Sequence, residues 1–130
     1  MALANPAKKR PKHLDLTKIR LPLPGLVSIL HRVSGIGLFL FGIPFLLWVL
    51  NCSLASQQGF DSWRAALRHP LLKLIVIGFL WAFLHHFFAG LRFLALDVHQ
   101  GISLSAARAT SKLVLIVSLA LTLVLGVCLW

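Results

Sequence analysis

Acidic side chains are almost missing from this sequence: Asp15, Asp61 and Asp97 stand alone against 13 lysines and arginines in 130 residues. Charged residues make up 12% of the chain and hydrophobic ones 58%, so there is too little charge to coat a soluble domain. Cysteine is scarce as well. Cys52 and Cys128 show no CxxC or metal-ligand spacing, which argues against a zinc-type site or a structural disulfide. A cleavable signal peptide is not expected either. The first apolar run starts after 26 residues, is long for a signal core and is followed by no clean small-residue cleavage pattern.

What the chain does have is apolar length, gathered into runs from roughly Val27 to Leu50, Leu71 to Leu96 and Leu113 to Trp130. Arg32 lies just inside the first run, and Lys73 and Arg92 lie toward opposite ends of the second, where long side chains reach headgroups. At about 1.5 Å per residue, about 20 helical residues cross the hydrocarbon core, so two runs can cross with tilt and the third is just long enough. Helices satisfy their own backbone groups in lipid, whereas isolated strands do not. The expectation is an all-α integral membrane protein, with a basic arm over 1–25 and a three-helix anchor over 26–130. Its spans are placed near 27–50, 71–96 and 110–130. A soluble bundle fails on size, because the remaining residues cannot coat three apolar helices.

The net charge of +10 invites a nucleic-acid partner, but its distribution argues for a membrane. Lys8, Lys9, Arg10, Lys12, Lys18 and Arg20 precede the first span, and Arg92, Arg108 and Lys112 flank the second connection. The other connection carries Arg64, Arg68 and Lys73. The positive-inside pattern places the N-terminus and the 97–112 connection in the cytoplasm and the C-terminus outside. The basic arm suits anionic membrane lipid or the face of a cytoplasmic partner, and no nucleic acid is expected.

Pro22 and Pro24 are expected to keep the entry extended, so that the first helix begins near Leu26. A short helix is expected over Asp61 to Leu67, capped by Asp61 or Ser62, with Pro70 opening the second span where a missing N–H costs least. The Ser105 to Arg108 stretch can extend the third helix into the cytoplasm. Ser118, Thr122 and Gly126 recur at intervals of four in that span, a small-residue stripe that permits close helix contact.

The chemistry must come from polar residues that lipid ought to exclude. Ser28, His31, Arg32 and Gly35 share one helical face near the cytoplasmic end of the first span. A hydroxyl, an imidazole and a guanidinium beside a glycine can hold a carboxylate or donate to a carbonyl oxygen of a small ring molecule. Headgroup anchoring explains Arg32 equally well but leaves Ser28 and Gly35 unexplained. In the second span, His86, Gly90, Phe93 and Asp97 form another stripe, with His86 roughly 16 Å of helix from the boundary at Asp97. A neutral imidazole at mid-membrane is suited to coordinate haem iron, and Gly90 would let a flat macrocycle approach the backbone. Adjacent His85 and His86 diverge by about 100° on a helix, so both cannot serve one site. Sharing a face with Gly90 favours His86, His85 is the alternative, and interhelical hydrogen bonding would account for either. Arg32 and Arg92 both fall at the end where haem propionates need cations. His13, His69 and His99 are poorly placed as a second axial ligand and only a different bundle geometry would bring in His31, so a partner chain is expected to finish the bundle.

These motifs resemble those of the cytochrome b556 subunits of bacterial succinate dehydrogenases, the larger of two membrane anchors. The likeness includes Arg10-Pro11, Leu14-Asp15-Leu16 and Ile19-Arg20, then Ser28 to Gly35 as SILHRVSG, then His86-x3-Gly90-x-Arg92 with Asp97. The resemblance implies an inner-membrane complex with a flavoprotein, an iron–sulfur protein and a second small three-helix anchor, together oxidising succinate and reducing ubiquinone. This chain would do none of the succinate chemistry. By the resemblance His86 is an axial ligand of haem b, the other coming from the second anchor. Ser28 and Arg32 line the ubiquinone site, and His31 neighbours the haem propionates. Many members carry histidine after the arginine at Arg92. Here Phe93 stands in its place, which leaves Arg92 or His31 to suffice. An anchor of a fumarate reductase and a non-redox adaptor for soluble subunits are the competing readings.

Overall fold

In the computed structural model, which describes residues 19–130, Pro22 is the last extended residue before the first helix, with φ −65° and ψ 154°. Helix α1 (Leu23–Gly37) begins at once, which corrects the expected start near Leu26. Pro24 falls in the first turn, where its missing N–H is not needed, and the Pro22 carbonyl accepts from Gly25 and Leu26 at 2.9 and 3.1 Å. The prolines thus open the helix instead of delaying it. The basic arm, with Arg10-Pro11, Leu14-Asp15-Leu16 and His13, lies outside the described residues.

Helix α1 passes through a π-helical turn at Leu38–Gly42 into α2 (Ile43–Ala55), so that Leu23–Ala55 forms one helical rod of 33 residues. Within the turn, the Ile43 N–H donates to the Leu38 carbonyl, five residues back. Pro44 supplies a local cause. It has no N–H for the Leu40 carbonyl and its ring would crowd that group, so the turn before it widens.

Ser56 is extended, and its hydroxyl accepts from the Gly59 N–H at 3.0 Å to cap α3 (Gln57–Ala66). The short helix therefore starts earlier than the expected Asp61, and Ser56 replaces Asp61 or Ser62 as its cap. It folds back on α2 through Trp63, whose ring meets Trp48 edge-on with centroids 4.9 Å apart. Helix α4 (Pro70–Asp97) opens with Pro70 at its first position, and α5 (Leu104–Leu129) is capped by Ser103. Between them, His99 and Gly101 reverse the chain with φ of 60° and 72°.

Leu23–Ala55, Pro70–Asp97 and Leu104–Leu129 are each long and apolar enough to cross a membrane. Their packing inverts the usual distribution. Phe39, Leu54 and Val127 are exposed, while Ser34, His85, Arg92, Ser111, Ser118 and Thr122 are buried beside Val27, Ala89 and Val114. Lipid removes the penalty for exposed leucine, so close approach of helices becomes the available source of packing energy. The Ser118, Thr122 and Gly126 stripe serves it: all three are buried, and a methyl at Gly126 would already touch Ile77 of α4. Ser111 and Thr122 return their hydroxyls to carbonyls four residues back, at 2.7 Å, and so bury no unpaired polar group.

Candidate functional site

Two histidines and two glycines interlock where α1 crosses α4. His31 of α1 lies over Gly90 of α4, and His86 of α4 lies over Gly35 of α1. A Cβ added at Gly35 would come within 2.7 Å of His86 Cε1, so only glycine admits that ring without a shift. The two imidazoles stack with centroids 4.2 Å apart and planes 6° from parallel. Phe93 packs against the other side of the pair, its ring centroid 5.1 Å from that of His31.

Hydrogen bonding fixes the His86 tautomer. Its Nδ1 lies 3.0 Å from the His31 carbonyl oxygen, which can only accept, so Nδ1 carries the proton. The Ser34 hydroxyl donates to the same carbonyl at 3.0 Å and lies 3.3 Å from Nδ1. The lone pair of His86 is therefore left on Nε2. A carbonyl holding the far ring nitrogen in this way orients the imidazole and fixes its tautomer. Ser34, within the SILHRVSG motif, thus joins the site. Its signal was its spacing, three residues after His31.

His86 and Gly35 border an apolar groove of about 600 Å³ between the first rod and α4, with Phe39, Phe45, Phe79 and Phe83 among its walls. Gly42 and the π-helical turn line it as well. The arrangement offers one oriented imidazole nitrogen beside a wide apolar face.

The other candidate residues fall elsewhere. His85 is fully buried, and neither ring nitrogen has a hydrogen-bond partner among the described residues. It does not border the groove. The expected single face of Ser28, His31, Arg32 and Gly35 is divided, since His31 and Gly35 meet α4 while Arg32 is exposed and Ser28 half-buried. Arg92 does not touch the His31–His86 pair directly; its guanidinium lies 5.4 Å from the centroid of the Phe93 ring, which packs on His31. Six residues beyond His86, it projects about 120° away around the helix and bonds to Thr110 of α5 at 3.0 Å.

Comparison with known proteins gives the family. The sequence profile of the succinate dehydrogenase/fumarate reductase transmembrane subunit family matches residues 6–125. A succinate dehydrogenase cytochrome b556 subunit of Coxiella burnetii is 38% identical over 123 residues, covering 94% of this chain and 98% of the relative. One from Paracoccus denitrificans is 33% identical over 103 residues, covering 79% and 78%. One from Rickettsia typhi is 31% identical over 119 residues, covering 92% of both. With three membrane-length helices and a match over nearly its whole length, the chain belongs to the succinate dehydrogenase/fumarate reductase transmembrane subunit family.

Proposed function

We propose that this chain is the membrane anchor and cytochrome b subunit of a bacterial succinate dehydrogenase, working with a flavoprotein, an iron–sulfur protein and a second small anchor. The relatives named above all carry the succinate dehydrogenase name, which favours that reading over a fumarate reductase anchor. The observation that carries the proposal is the oriented His86 imidazole beside the apolar groove.

The residues fit a haem b. His86 would hold the haem iron through Nε2, a second ligand would be required of the other anchor, and the groove offers an apolar wall of suitable kind. Bound there, the haem supplies a one-electron carrier within the bilayer. The His31 carbonyl and Ser34 hydroxyl hold the Nδ1 proton and keep the ring from rotating. Gly35 leaves the space that the His86 ring occupies. His31, stacked on His86, would neighbour the haem propionates.

Ubiquinone is assigned to the exposed face of α1. Ser28 donates a hydrogen bond to a quinone oxygen, and Arg32, one turn on and directed outward, stabilises negative charge developing on the ring. The charge bias supports a cytoplasmic position for this end, facing the iron–sulfur partner of an inner-membrane complex. Arg32→Leu should lower quinone reduction by about 100-fold while sparing succinate oxidation by an artificial acceptor. Normal quinone turnover in an assembled variant would overturn the assignment.

A further inference from the structure

The α4–α5 interface holds a cation that the redox reading does not use. Arg92 is 8% exposed. Its Nε donates to Thr110 Oγ1 at 3.0 Å and an Nη2 N–H to the Ala107 carbonyl at 3.5 Å. Thr110 is itself held by the Ala106 carbonyl at 2.9 Å. Both acceptors are neutral, so these bonds orient the guanidinium without cancelling its charge. Asp97, five residues on, is exposed and is not one of these partners. A guanidinium has five N–H donors, and most of them are still available.

Arg92 borders a cleft of about 340 Å³ between α4 and α5, to which α1 contributes no wall. Leu91, Leu96, Leu113 and Val117 make it apolar, and Gln100 adds an amide from the α4–α5 turn. Arg92 sits five residues from the end of α4, about 8 Å along the axis, a depth from which it reaches the headgroup layer. Exposed Arg108 and Lys112, in the early turns of α5, add positive charge at the same end. A cation with no carboxylate partner among the described residues, above an apolar trough, matches a ligand with anionic oxygens at one end and hydrocarbon at the other.

We propose that this cleft binds an anionic phospholipid, its phosphate on Arg92 and Gln100 and one acyl chain along Leu91, Leu113 and Val117. A planar guanidinium pairs with two phosphate oxygens at once, and the extra cations select an anionic headgroup over a zwitterionic one.

The test uses the assembled complex, washed in detergent and offered phosphatidylglycerol, phosphatidylcholine or ubiquinone, with the bound species read by native mass spectrometry. The native complex should retain phosphatidylglycerol through a wash that removes phosphatidylcholine. Arg92→Met should lower that retention about tenfold or more, and Arg92→Lys by less. Val117→Trp fills the trough without touching the guanidinium, and it should also release the lipid while leaving the haem spectrum unchanged. Equal retention of the two phospholipids by the native complex, full retention in assembled Arg92→Met, or ubiquinone held in place of phospholipid would each overturn the proposal. Because lipid retention and the haem spectrum are read separately, failure here is distinguishable from failure of the redox reading.

Discussion

Glycine at residue 35 and glycine at residue 37 look alike in sequence, yet the structure asks different things of them. A methyl at Gly35 would strike the His86 ring, whereas one at Gly37 would meet nothing within 4 Å. Overpacking of this kind costs about 1–3 kcal/mol, and here it falls on the proposed ligand. Gly35→Ala should therefore reduce haem content per assembled complex severalfold, and Gly37→Ala should leave it unchanged; equal pigment in both variants would separate the glycine from the site. The histidines and their glycines were legible in the sequence because helical spacing sets which residues share a face. Their pairing was not, because Gly35 with His86 and Gly90 with His31 depend on how two helices cross. The same limit applies to Arg92. Its spacing put it at the proper end of the span, but only the position of α5 shows that it turns to Thr110.

At the scale of elements, apolar length revealed the three long helices, and local chemistry decided their ends less visibly. Pro22 and Pro24 are compatible both with an extended entry and with a first helical turn, and the Pro22 carbonyl bonds select the latter. Ser56, not the expected Asp61 or Ser62, starts a helix that carries a glycine, Gly59, in its first turn. That glycine has a packing reason: a methyl at Gly59 would overlap the Cys52 carbonyl oxygen of α2. Gly59→Ala must push α3 away from α2 and loosen the Trp48–Trp63 contact. We expect a loss of about 1–3 kcal/mol, seen as a lower unfolding temperature of the complex with haem content intact. An unchanged temperature would mean that α3 is not held against α2 at this point. The π-helical turn was not legible at all. Pro44 announces a disturbance in the helix, but whether it kinks or widens the preceding turn depends on the surrounding packing.

Across the whole molecule, polar and small residues are inside and large apolar ones outside, as expected of a chain solvated by lipid. Three spans would send the two ends to opposite sides, and the proposed orientation, with the basic end in the cytoplasm, follows from the charge bias. Lys73, at the start of α4, donates to the Trp130 carbonyl at 2.6 Å, so residues near Cys128 lie at the end of the bundle opposite the basic one. Exposed Cys128 should accordingly react with a membrane-impermeant thiol reagent in spheroplasts and be protected in inverted vesicles. The reverse pattern would invert the proposed orientation. The central claim is that His86, and not its buried neighbour, carries the haem. It is tested most directly by reduced-minus-oxidised absorption spectra of the purified complex in native, His86→Ala and His85→Leu forms. The native complex should show a b-type low-spin signal that is lost or turned high-spin in His86→Ala and kept in His85→Leu. A low-spin signal unchanged in His86→Ala, or abolished in assembled His85→Leu, would contradict it.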